Sequence, residues 1–97
     1  MSTKFDIGKL EVTGAAKQLA HRMYGHVGAA TRLAGLLARH AQGDWGDLNI
    51  DGKKHNDAAV QHGGRVFSAY DLGDGDEFWI ITEADRSKTT ILLPTDF

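Results

Sequence analysis

Cysteine is absent from the 97 residues, which excludes disulfide bridges, thiolate zinc sites and a cysteine nucleophile. A basic surplus is absent too. The net charge is -2 and the sequence pI is near 6.2, whereas nucleic-acid-binding domains ordinarily carry a clear excess of Lys and Arg to neutralise phosphate. Such a total disfavours nucleic acid as a partner but leaves room for a local basic patch. No stretch approaches the roughly 20 apolar residues that span a bilayer. The opening "MSTKFDIGKLEVTG" has no apolar core of signal-peptide length. Together these absences describe a soluble, cytoplasmic protein with no membrane attachment. Repeats, linkers and low-complexity tracts are lacking as well, so residues 1–97 read as one domain with a single modest core.

What is present is ordinary globular composition, 41% apolar and 25% charged, arranged in two regimes. Residues 4–13 alternate, with Phe5, Ile7, Leu10 and Val12 apolar and a phase slip at Gly8-Lys9 that a β-bulge would correct. This is an expected edge strand. Thr13 is placed to cap a helix striped by Ala15, Ala16, Leu19, Ala20 and Met23. "YGHVG" interrupts it, and a second helix is expected from about Val27 to Ala41, ended by Gly43. Gly28 and Gly35 share a face of that helix and predict the close approach of another backbone. "DWGDLNIDG" is dense in turn formers, with Trp45 and Leu48 pinning the loop to the core. Asp51 is the expected cap of a third, surface helix ended by Gly63-Gly64.

The last third reads as strands. "RVFSAYDL" alternates, Asp74-Gly75 is a hairpin signal, "EFWIIT" is apolar on both faces as in a strand covered on both sides, and "TTILLP" ends at Pro94, the single proline. The expected fold is therefore α+β: an antiparallel meander of three C-terminal strands, joined by the N-terminal strand, with two or three helices packed on one face.

Three constellations carry candidate chemistry. Thr82, Glu83, Asp85, Arg86, Ser87, Thr89 and Thr90 cluster around one hairpin at an end of the sheet. A guanidinium among hydroxyls suits phosphate or carboxylate, although charged hairpin tips are also common for solvation alone. "GDWGD" supplies Asp44, Trp45 and Asp47, a pair of carboxylates beside an indole, or else a tight loop around a buried Trp. His40 closes a helix, where the macrodipole favours imidazolium, and is a candidate general base or a capping residue. His55 and His62 lie two turns apart, about 10 Å, too far to share one ion directly, and no HExxH spacing occurs. No metal site and no cofactor are expected.

The strings "ARHAQGDWGDL", "GGRVFSAY" and "WIITEADRSKTTILLP" resemble a pattern, ARHxxGDWGDL…GGRxxSAY…WIITEADRSxTTxLLP, shared by short uncharacterised proteins of bacterial plasmids and other mobile DNA. The likeness runs from about Leu36 to Phe97. It implies an accessory gene of a mobile element, serving plasmid maintenance, defence or counter-defence. A topological resemblance also exists. A strand, helices and then a β-meander is similar to the RelE/ParE toxin layout, which implies an RNA-cutting site whose nearest residues here are Arg65, Tyr70, Glu83, Arg86 and Thr89, with His40 as a further candidate. Two readings follow. The first is a non-catalytic module that binds a host or element-encoded protein, with a homodimer as one form of association. The alternative is a RelE/ParE-like endoribonuclease toxin.

Overall fold

The computed structural model describes residues 3–73 and 75–97. Four strands and two helices run in the order β1 (Lys9–Val12), α1 (Gly14–Ala41), α2 (Ile50–His62), β2 (Val66–Gly73), β3 (Asp76–Thr82) and β4 (Lys88–Leu92), followed by a short 3-10 turn at Pro94–Asp96. The fold is α+β, as the patterning requires. β2, β3 and β4 are successive antiparallel neighbours, but β1 adds to the far side of β4 in parallel, giving the order β1-β4-β3-β2. The three C-terminal strands form the expected antiparallel meander and the N-terminal strand joins it, but in parallel, so the sheet is mixed rather than purely antiparallel. Nor does β1 reach back to residue 4 through a bulge. The strand starts at Lys9, whose N–H donates to Ser87 O, and Gly8 before it has a φ of +63°. Residues 4–7 leave the sheet and run beneath it, with Lys4 N–H bonded to Ala41 O.

Thr13 caps α1 as its side chain predicts, its Oγ1 accepting from Ala16 N–H at 3.1 Å. The helix spans both expected segments and breaks at Gly25 (φ 77°, ψ 175°), inside "YGHVG". Only glycine adopts that conformation cheaply. The C-terminus of α1 is a Schellman motif: Gly43 N–H returns to His40 O and Asp44 N–H to Arg39 O. Asn49, not Asp51, caps α2, accepting from Gly52 N–H at 2.8 Å, and Asp51 sits in the first turn. Gly28 and Gly35 do not mark a backbone approach. A methyl at Gly28 would meet only Tyr24 Cβ, 3.2 Å away, and one at Gly35 would meet nothing within 4 Å.

Alternation along the strands sets the core. Tyr70, Phe78, Ile80 and Ile91 project toward α1 and pack on Ala16, Leu19, Ala20, Ala29 and Leu36, with Val12 and Leu33 at the margin. A second cluster joins Trp45, Ala59 and Val66 to Phe5, Leu48 and Val60. No helix among the described residues covers the opposite, outer face of the sheet. Phe67, Trp79 and Phe97 form a chain of edge-to-face rings there, with centroids 5.0 and 5.7 Å apart. β3 is thus covered on one side by helix and on the other only by the C-terminal residues, not on both sides as its composition suggested. The turn into β3 passes through Asp74, which lies outside the described residues, and Gly75 with φ +80°.

Candidate functional site

The loop after α1 works on the outer edge of β2. Trp45 O accepts from Ala69 N–H and Asp47 N–H donates to Ala69 O, at 3.3 and 2.7 Å. Asp47 Oδ2 accepts from Asp71 N–H at 2.7 Å, and Asp44 O accepts from the Tyr70 hydroxyl at 2.7 Å. One pleat further along, the Asn56 amide of α2 both donates to Phe67 O and accepts from Phe67 N–H. Every second residue of the edge is thereby bonded, so side chains and a loop stand in for a fifth strand. The acids of "GDWGD" are spent in this clasp. Asp44 also pairs with Arg39 at 2.7 Å, and that bond, more than any other influence, holds its carboxyl below the usual range. The Trp45 indole N–H donates to Asp57 on α2. The two carboxylates therefore do not face a common substrate position.

Arg86 is committed in the same way. Its guanidinium donates to three backbone carbonyls, Gly64 at 2.6 Å, Ala59 at 2.9 Å and Glu83 at 3.2 Å, and lies over the Phe5 ring at 5.4 Å. It ties the C-terminal turn of α2 to the β3–β4 loop. The geometry is strict enough that Arg86 sits at φ +62°, the one non-glycine residue with positive φ among those described. The Glu83 carboxylate turns instead to Arg65 on the outer face, 3.6 Å away. Asp85 accepts from Ser87 N–H in a local turn, and bonds from Ser87 hold its carboxyl low. The charged bend is neither a bare solvated tip nor a phosphate clamp. Its arginine is a bracket, Glu83 and Lys88 are paired with Arg65 and Glu11, and Asp85 faces water. Arg86→Ala is expected to cost about 3 kcal/mol, since three carbonyls lose a charged donor at once, and Arg86→Lys should recover little because one ammonium cannot reproduce the fork. Urea unfolding of the two variants checks both statements.

His40 is wholly buried and anchors a polar chain through the core. Thr89 Oγ1 donates to Ile7 O at 2.7 Å, which uses its only proton. Thr82 must then donate to Thr89 (2.6 Å) and accept from His40 Nε2–H (2.9 Å). Burial foremost, and then the Arg86 charge, lower the imidazole pKa to about 4, so the ring is neutral and its Nδ1 accepts from Ser68 Oγ–H. The tautomer follows from the far end of the chain. Ser68, Thr82 and Thr89 are themselves fully buried, and no buried side-chain polar atom among the described residues lacks a partner. Burial also pushes the Tyr70 hydroxyl up to about 12.

The sequence candidates therefore fall in three places. His40, Tyr70 and Thr89 lie in the interior. Trp45 and Arg86 meet the same inner cluster through Phe5, whose ring is 6.0 Å from Trp45 and 5.3 Å from His40. Arg65 and Glu83 lie on the outer face, beside an open groove of about 170 Å³ that Ile81, Lys88, Thr90, Leu92 and Phe97 also line. No cleft holds His40, Arg65 and Arg86 together among the described residues. Sequence reasoning missed Ser68, Asn56 and Phe97, and placed Thr82 with the charged hairpin rather than beside His40. Ser68 and Thr82 carried a signal: hydroxyls at inward-facing positions of neighbouring strands, in phase with Val66, Tyr70, Phe78 and Ile80, demand a polar partner from the covering helix, and His40 follows Leu36 by one turn.

No helix among the described residues is long and apolar enough to cross a membrane, and no group of three or more potential metal ligands is found among them. Comparisons with protein-family models, with curated proteins and with solved structures return no match.

Proposed function

We propose that this chain is a non-catalytic protein-interaction module, an accessory protein of mobile DNA that binds a host or element-encoded protein through the outer face of its sheet. The observation that carries the reading is that face. It carries Phe67, Trp79, Ile81, Leu92 and Phe97 with no helix over it among the described residues: Ile81 and Leu92 are buried, Phe67 and Trp79 half-buried, and Phe97 is 75% exposed. Paired charges, Arg65 with Glu83 and Lys88 with Glu11, stand at its rim. An apolar centre with aromatic anchors and a charged margin is the anatomy of a protein interface. The internal commitment of His40, Tyr70 and Arg86 supports this reading over an endoribonuclease, which needs acid–base groups within reach of a substrate.

Tagged protein recovered from its native host should bring down a protein partner, and Phe97→Asp should lose it. Phe97 is 75% exposed, so the variant should keep the wild-type unfolding midpoint. RNA cleavage by the purified chain that disappears in Arg65→Ala, a surface change, would refute the module and restore the toxin reading.

A further inference from the structure

The distribution of charge along the chain is uneven. Residues 14–43 contain Lys17, Arg22, Arg32 and Arg39 and not one Asp or Glu, although the protein has 13 acidic side chains. All of the acid therefore lies elsewhere, and α1 is a basic helix on an otherwise acidic molecule. Arg39 pairs with Asp44, and Arg22 lines a groove of about 260 Å³ with Asp76 and Glu77 without an ion pair to either among the described residues. Lys17 and Arg32 form no ion pair among the described residues.

The break at Gly25 gathers these groups at a corner. In an unbroken helix, residues five apart point well away from each other. Here the His21 and His26 rings lie 5.3 Å apart, and Arg32 reaches back over the Tyr24 ring at 5.6 Å. The two arms of α1 thus share one exposed surface, with Lys17 one turn before His21 on the first arm. Between the basic groups stand two apolar side chains that the fold leaves in water, Met23 at 39% and Val27 at 79% exposure. The core does not need them, because α1 faces the sheet with Ala16, Leu19, Ala20, Ala29 and Leu36.

We infer that this corner is a second docking surface, and that its partner is a protein presenting an acidic rim around an apolar contact. Charge complementarity selects the sign of the partner. The apolar pair selects its class. Phosphate backbones are bound by polar and cationic groups and gain nothing from an exposed valine and methionine, whereas a protein surface buries them. The acidic remainder of the molecule also repels a uniformly charged polyanion, while steering a partner with a localised acidic patch onto the one basic face. This surface is separate from the sheet face proposed above, and the protein that uses both bridges two partners.

The test is an amide-resolved NMR titration of the full chain with a peptide of alternating Glu and Leu, and in parallel with a DNA duplex. The peptide should shift amides of residues 17–32 and leave those of Phe67, Trp79 and Phe97 unmoved. Binding should weaken about tenfold in Lys17→Glu/Arg32→Glu and in Val27→Ser, and should fall away near 0.5 M salt, where screening is short-ranged. All three substitutions lie at exposed positions, so the spectra of the variants should remain those of the folded protein. Peptide shifts confined to the sheet face would overturn the inference and leave the sheet-face reading standing. Affinity for the duplex exceeding that for the peptide, through the same residues, would overturn it in favour of nucleic acid.

Discussion

Gly46→Ala is expected to destabilise the protein by about 4 kcal/mol, a loss reserved for substitutions that force backbone apart. The added methyl would stand 2.0 Å from Ala69 O and under 3 Å from the Tyr70 ring, at a residue with φ +74°. Neither neighbour can yield. Ala69 O is the acceptor of Asp47 N–H, and the Tyr70 hydroxyl is held by Asp44 O. Relief requires the loop to lift, and with it go the bonds of Trp45, Asp47 and Asp71 to the edge of β2. The comparison that isolates this cause is Gly35→Ala. That glycine is helical, and the methyl meets nothing, so the change should stabilise by about 0.5–1 kcal/mol through helix propensity and a less flexible unfolded chain. Urea midpoints of the two variants should therefore move in opposite directions. Equal shifts would refute the role assigned to the clasp.

The second large effect is a dependence on pH. The His40 imidazole falls from an ordinary 6.5 to about 4 in the folded state, because burial disfavours the cation and Arg86 repels it. The unfolded chain thus binds a proton between pH 6.5 and 4 that the folded chain refuses. Its contribution to stability is complete above about 6.5 and declines as the pH falls, the loss reaching roughly 3 kcal/mol by pH 4. Charging the ring also requires the Ser68 hydroxyl to turn round, since Nδ1 would become a donor. Carboxylates add their own acid limb, so the informative quantity is the stability gap between wild type and His40→Gln. Glutamine keeps an amide in the site and cannot titrate. The variant should be less stable at pH 7, and the gap should close by roughly 3 kcal/mol on acidification to pH 4. A gap that stays constant across that range would remove His40 as the source.

Much of the architecture was legible because it rests on period and punctuation. The Thr13 cap, the break within "YGHVG", the terminating Gly43 and Gly63 and the C-terminal strands each follow from residues whose local chemistry admits few alternatives. The direction of β1 was not legible. Alternation at Leu10 and Val12 marks a strand but says nothing of its neighbour, and β1, the first strand in the chain, lies parallel to β4, the last. Site chemistry was the least readable part. Asp44, Asp47 and Arg86 look like reagents in a string of letters, yet they serve backbone groups, and the bonds that occupy them depend on an edge and a helix end that only the folded chain brings near. His40 was singled out for its place at a helix terminus, but the property that matters is its phase with Leu36, which turns it inward.

The clasp along β2 has a consequence for behaviour at high concentration. Sheets recruit further chains, and seed fibrils, where a row of peptide groups is left unpaired. In this molecule Asn56, Trp45 and Asp47 occupy that row on one side. On the other, β1 offers only four residues, with Lys9 and Glu11 among them. The half-buried rings of Phe67 and Trp79 and the exposed ring of Phe97 can therefore remain accessible without inviting templated growth of the sheet.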